Sequence, residues 1–154
     1  MSMPVSALLP FIHHALNGMI RIAETLGDGR VNEQPDLPGA NSPYSIVTHC
    51  IGVTQYWLGH VLSQRPLDRD REAEFRARGT VAELRRSIHR LQEQVEADLL
   101  SIEGDRPVGE LIDLHGELQN HTQGDVLLHW YRELAQHHGH LELTRDILLS
   151  RQQK

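Results

Sequence analysis

The chain has 154 residues, 39% of them hydrophobic and 23% charged, with a formal net charge of −6 and one cysteine. That length and apolar content suit one soluble domain with a core of its own, spanning residues 1–154. The acidic balance argues against general nucleic-acid binding, which needs a basic patch, and no apolar run approaches the roughly 18–20 residues of a membrane span.

The first predicted element is a helix over about Val5–Leu26. Leu9, Ile12, Leu16, Met19, Ala23 and Leu26 recur there at three- and four-residue steps and so share one face. Pro10 either kinks this helix or belongs to its first turns. Gly27–Asn41, rich in Gly, Pro, Asp and Asn, reads as a loop. The second helix opens with Ser42 as N-cap and Pro43 in the first helical position. It runs to about Ser63, with Ile46, Val53 and Tyr56 on its apolar face and His49 among them. His60 shares that stripe but lies roughly 16 Å further along the axis, too far to share a site with His49. Gln64–Gly79 is mostly charge and reads as a solvated connector with at most a helical turn. Thr80 and Glu83 form a capping-box signature for a third helix over about Val81–Ile102, carried by Val81, Leu84, Ile88, Leu91, Val95, Leu99 and Ile102. Gly104–Gly124 is a second long connection with room for a short extended piece. The fourth helix covers Asp125–Leu148, where Val126, Trp130, Leu134, Leu141 and Leu148 fall on one stripe, and it frays over Ser150–Lys154. Four amphipathic helices without a convincing strand pair predict an all-α fold, a four-helix bundle with long connections. Those connections leave the order of the helices open.

Eleven histidines against two phenylalanines is the unusual ratio, and histidine is the commonest metal ligand among side chains. His137 sits mid-stripe on the fourth helix, with Glu133 one turn before it and His140 just outside. Burying an unpaired charge is expensive, and a bound metal ion would give these groups a reason to face inward. Bundles build metal sites from facing helices, so His49, Glu133 and His137 form a candidate set of two imidazoles and a carboxylate. Three protein ligands leave a position for water or substrate. Zinc suits these ligand types, and nickel, iron or manganese would accept them. On residue pattern alone, hydrogen-bonded inner histidines explain the same positions equally well. Cys50 points about 100° away from His49 and reads as a packing residue. His13 and His14 read as surface groups, and His115 and His121 either line a mouth or do nothing. Gly139 is a close-approach position or a tolerated helical glycine, and Arg145 a helix-end cation.

Asn41–Gly59 (NSPYSIVTHCIGVTQYWLG) combines a small-residue–Pro helix start, a His, and a Trp two turns later. His129–Glu142 (HWYRELAQHHGHLE) follows H-x-x-x-E-x-x-x-H-x-G-H-x-E. In these stretches, and in Asp68–Phe75 (DRDREAEF), the chain resembles the DinB-like superfamily of metalloenzymes. Within it, the likeness is to the branch of mycothiol-dependent maleylpyruvate isomerase and related thiol-dependent transferases. The resemblance covers nearly the whole chain. It implies a DinB-like bundle, metal ligands at His49, Glu133 and His137, and a homodimer. Many relatives carry His where Glu133 stands, but this branch uses Glu. The additional C-terminal domain of the isomerase has no counterpart in this sequence, so the maleylpyruvate reaction is not expected.

The function that follows is a divalent-metal-dependent enzyme, a thiol-dependent S-transferase or isomerase-type activity. Its metal would activate a low-molecular-weight thiol, mycothiol or bacillithiol by family likeness, because thiolate is the nucleophile and coordination lowers the thiol pKa. Tyr56, Trp57, Trp130 and His140 are candidate pocket neighbours for the small-molecule substrate, and His129 either supports a ligand or lies at the surface. The alternatives are a metal-water hydrolase, since the same open position activates water, and a non-catalytic, stress-associated metal-binding module. The single cysteine rules out an internal disulfide and the N-terminus lacks the charged flank of a signal peptide, so a reducing cytoplasm is the expected location.

Overall fold

The computed structural model describes residues 4–114 and 118–151. A 3-10 turn at Val5–Leu8 leads into α1 (Leu9–Arg30), which places Pro10 in the first helical turns. Gly27 adopts φ 65° and ψ 175°, a left-handed conformation that glycine takes without strain. The chain then makes one more turn, so α1 ends at Arg30 rather than at Leu26. α2 (Pro43–Thr54) starts as expected, with Ser42 Oγ accepting from the Ser45 amide at 3.2 Å. Beyond Thr54 the same helix widens into a π-helical stretch, Gln55–Leu62, closed by the Ser63 amide donating to the Leu58 carbonyl at 3.0 Å.

The charged connector carries α3 (Arg71–Arg76), capped by Asp70, whose carboxylate accepts from the Ala73 amide at 2.9 Å. α4 (Val81–Leu99) opens on the predicted capping box: Thr80 Oγ1 accepts from the Glu83 amide and Glu83 Oε2 accepts from the Thr80 amide. It stops short of Ile102. α5 (Gln123–Ser150) opens on a second capping box, Thr122 with Asp125, slightly ahead of the predicted start.

The second connection folds into an antiparallel hairpin, β1 (Pro107–Asp113) with β2 (Leu118–Thr122), which corrects the expectation of no strand pair. Its alternating pattern is short and is broken by a register shift between Pro107 and Leu111, where Gly109 takes φ 90°. Burial holds it in place: Ile112 and Leu114 cluster with Val61 from the π-helical end of α2 and Val126 of α5.

Around the bundle the helices run in the order α1, α4, α2, α5, so α1 and α2, consecutive in sequence, stand diagonally opposite. The loop between them crosses that diagonal. Ile12, Leu16, Met19, Ile46, Ile88, Leu134 and Leu141 fill the core around Trp130, all of them fully buried or nearly so. The Trp130 indole N–H donates to Thr54 Oγ1 at 3.0 Å, which satisfies its one polar group inside an apolar setting. Among the described residues no helix is long and apolar enough to cross a membrane.

Candidate metal centre

His49 on α2 and His137 on α5 meet across the bundle, their ring centroids 4.9 Å apart and their planes inclined at 79°. Two imidazoles on one tetrahedral ion, with bonds of about 2 Å, hold their centroids about 5 Å apart. The pair therefore stands at ligand spacing. Glu133 Oε2 lies 4.0 Å from His137 Nε2, somewhat beyond the roughly 3.3 Å that separates two donor atoms on such an ion. Its other oxygen accepts a 3.2 Å hydrogen bond from Arg132, which draws the carboxylate toward the surface. No three His, Cys, Asp or Glu side chains among the described residues already stand as a complete cation cage. Completing this one takes a rotation of Glu133 away from Arg132.

His49 Nδ1–H donates to Glu74 Oε2 at 2.8 Å. An ionised carboxylate only accepts, so this bond places the proton on Nδ1 and leaves the Nε2 lone pair free, the usual way a carboxylate orients a metal-binding histidine. Glu74 comes from α3 and is buried, with Arg69 donating to its two oxygens at 2.6 and 2.9 Å. Gly52 makes room for it: a Cβ there would lie 2.0 Å from Glu74 Oε1. Phe75 stacks on the His49 ring with centroids 4.6 Å apart. The segment that reads as solvated charge thus folds back over α2 and supports the site.

Burial alone would raise the Glu74 carboxyl, but its hydrogen bonds to Arg69 and His49 hold it below the usual carboxylate value. Burial pushes His49 below the usual histidine value against the opposing pull of Glu74, with Arg69 and Arg71 adding to the depression. His137 is lowered by burial and then by His49. Both imidazoles are neutral at neutral pH, the form that binds cations. Two neutral imidazoles, one with its far nitrogen already anchored, and a nearby carboxylate fit a divalent cation.

The other predicted residues divide. Tyr56 and Trp57 pack edge to face at 4.8 Å, Trp57 meets His129 at 4.7 Å, and the Arg69 guanidinium lies 5.7 Å over the Tyr56 ring. They make a half-buried aromatic wall tied to the arginine that holds Glu74. The His140 ring is 6.2 Å from His137 and lines an apolar recess of about 210 Å³ with Leu37, Leu143 and Ile147. Trp130 is fully buried and belongs to the core. His121, His129 and Arg132 line a hollow of about 480 Å³, while His115 lies outside the described residues. His60 is exposed and donates from Nδ1 to the Arg65 carbonyl at 2.9 Å. Cys50 is buried, and burial, then Glu133 and Glu74, push its thiol up, in keeping with a packing role.

Four further residues take definite places. A Cβ on Gly139 would meet nothing within 4 Å, so no protein group needs that glycine for close approach. His13 is not a free surface group, because its Nε2 lies 3.0 Å from Glu96 and its Nδ1 3.0 Å from Gln92 on α4. His14 meets His138 of α5 at 5.8 Å. Partners on other helices leave no trace in local periodicity. Arg145 pairs with its neighbour Asp146 at 2.9 Å rather than with a helix end.

A predominantly helical bundle that brings one histidine from α2 against another on α5 agrees with the DinB-like class, to which the family match assigns the chain. The chain belongs to the mycothiol-S-transferase family, which it matches over residues 7–149. No individual curated protein matches it. Arg69, Glu74 and Gly52 are the site residues that periodicity misses. The one local signal was Phe75, the single aromatic in Gln64–Gly79.

Proposed function

We propose that this chain is a divalent-metal-dependent transferase that works on a low-molecular-weight thiol, mycothiol by its family, with His49, Glu133 and His137 as the metal ligands. The observation that carries the reading is the His49–His137 pair at 4.9 Å with Glu74 on the far nitrogen of His49. A divalent cation held there would supply a Lewis acid that lowers the pKa of a thiol in its open position. The side chains do the rest. Glu74, clamped by Arg69, keeps the proton on His49 Nδ1 and fixes the ring against Phe75. Tyr56 and Trp57 offer an aromatic wall to the thiol or its partner, and His140 closes one side. In the transfer, the thiol proton leaves to solvent and the sulfur electron pair forms the new S–C bond. The electrophile either releases a leaving group with the old bonding pair or, at an activated double bond, takes up a proton.

The test uses untagged protein purified without chelator. Metal content is measured by mass spectrometry, and conjugation by turnover of mycothiol with monobromobimane. Stoichiometric divalent metal, with turnover that disappears in His49→Ala and in His137→Ala, is the expected result. Full occupancy without turnover across thiols and electrophiles would leave a binding module instead, and hydrolysis without thiol would favour the metal-water reading. A homodimer in the cytoplasm, where thiols stay reduced, completes the proposal, and sedimentation equilibrium tests its oligomeric part.

A further inference from the structure

A sizeable cavity lies behind the paired histidines. α2 and α4 meet least of the neighbouring helices, and a cavity of about 560 Å³ opens between them. Thr48 and Ile51 reach it from α2, roughly 100° and 200° around the helix from His49, so it faces away from the candidate metal centre. One wall is apolar, made by Ile51, Leu84, Leu91 and Val95.

Its charged groups are Arg65, Arg78, Arg90 and Asp98. Asp98 is occupied: Arg65 donates to its two oxygens at 2.5 and 2.7 Å, and Gln94 adds a third bond at 3.0 Å. Arg78 and Arg90 have no ion-pair partner among the described residues. The cavity mouth therefore presents two exposed guanidinium groups without a carboxylate partner in a chain whose net charge is −6. Guanidinium forks match carboxylates and related oxyanions bidentately. A volume of this size lies within the roughly 300–1,000 Å³ of small-molecule sites. An apolar wall beside two unpaired cations complements an anion that carries an apolar body.

We propose that the cleft between α2 and α4 binds a small organic carboxylate, its apolar body against Ile51, Leu84, Leu91 and Val95 and its charge on Arg78 and Arg90. This site is independent of the metal centre and needs no ion there.

Full-length protein is titrated with 2-naphthoate and with its uncharged counterpart, 2-naphthalenemethanol, and binding is followed by calorimetry and amide chemical shifts. The acid should bind about tenfold or more tightly than the alcohol, since a hydrogen-bonded charge contributes that much or more. The combined substitution Arg78→Gln with Arg90→Gln should remove that preference and leave the alcohol unaffected. Arg86→Gln, outside the cavity, should change neither. Equal affinities for the two probes, absence of binding, or acid binding that survives loss of both arginines would overturn the proposal. The comparison of the two probes on the wild-type protein decides the matter even if the double variant misfolds.

Discussion

At the scale of single residues, the site depends on an atom that is missing. Glu74 can lie against α2 only because residue 52 has no Cβ, and Glu74 in turn fixes the His49 ring. Gly52→Ala should therefore displace the carboxylate and lower metal affinity about 10–100-fold, the usual effect of losing such a support. The better helix propensity of alanine, worth about 1 kcal/mol, would raise helix stability and separate the two effects. Glu74→Gln, which keeps the shape and one acceptor oxygen, should lose less. Chelator competition measures both. Acid sensitivity follows from the same residues. His49 and His137 are held below the ordinary histidine value when folded, so as pH falls the unfolded chain binds protons first. The metal-free protein should lose stability from about pH 6.5 downward, with the loss complete once the folded-state values are passed. Urea titrations across that window check it, and His137→Gln should shrink the slope. His49 and His137 were legible because each interrupts an apolar stripe. Glu74 was not, because its burial needs a tertiary fold-back and an absent methyl, neither of which has a period.

At the scale of elements, what periodicity conveyed was extent, and what it hid was winding and ends. The second helix ends close to the predicted Ser63, but its last turns are π-helical, which no apolar spacing announces. The hairpin escaped because Pro107, Gly109 and a register shift leave too few alternating residues to recognise. The start of α5 was missed by two residues because its capping box uses Asp125 in place of the more familiar glutamate. That cap fixes the helix that carries Glu133 and His137. Thr122→Ala removes a side chain that accepts from the Asp125 amide at 3.1 Å and donates to its carboxylate at 2.9 Å. The substitution should cost about 0.5–2 kcal/mol of stability, read as a lower denaturant midpoint with an unchanged slope. Glu133 and His137 lie three turns or more beyond the cap, so metal affinity of the folded protein should hardly change.

At the scale of the whole molecule, four amphipathic stripes state which faces are buried but not which helix lies beside which. The order α1, α4, α2, α5 was therefore beyond the sequence, and it is this order that sets α2 next to α5. The candidate ligands come from those two neighbours, while α3 supports them from outside and α1 contributes none. A cation at this position would tie α2 to α5, and a group bound only by the folded state stabilises it by mass action, about 2.7 kcal/mol at a free concentration one hundred times Kd. Removing metal by dialysis against chelator should lower the melting temperature, and zinc should restore it in wild-type but not in His49→Ala. The location of the change is the sharper readout. Amide exchange should quicken in α2, α3 and the middle of α5, where Arg69, Glu74 and His49 lose a reason to stay ordered. It should stay slow in α1 and α4, which supply neither a candidate ligand nor a support for one. Uniform quickening would mean that the ion only raises global stability, and identical exchange with and without metal would mean that the two helices are joined by packing alone.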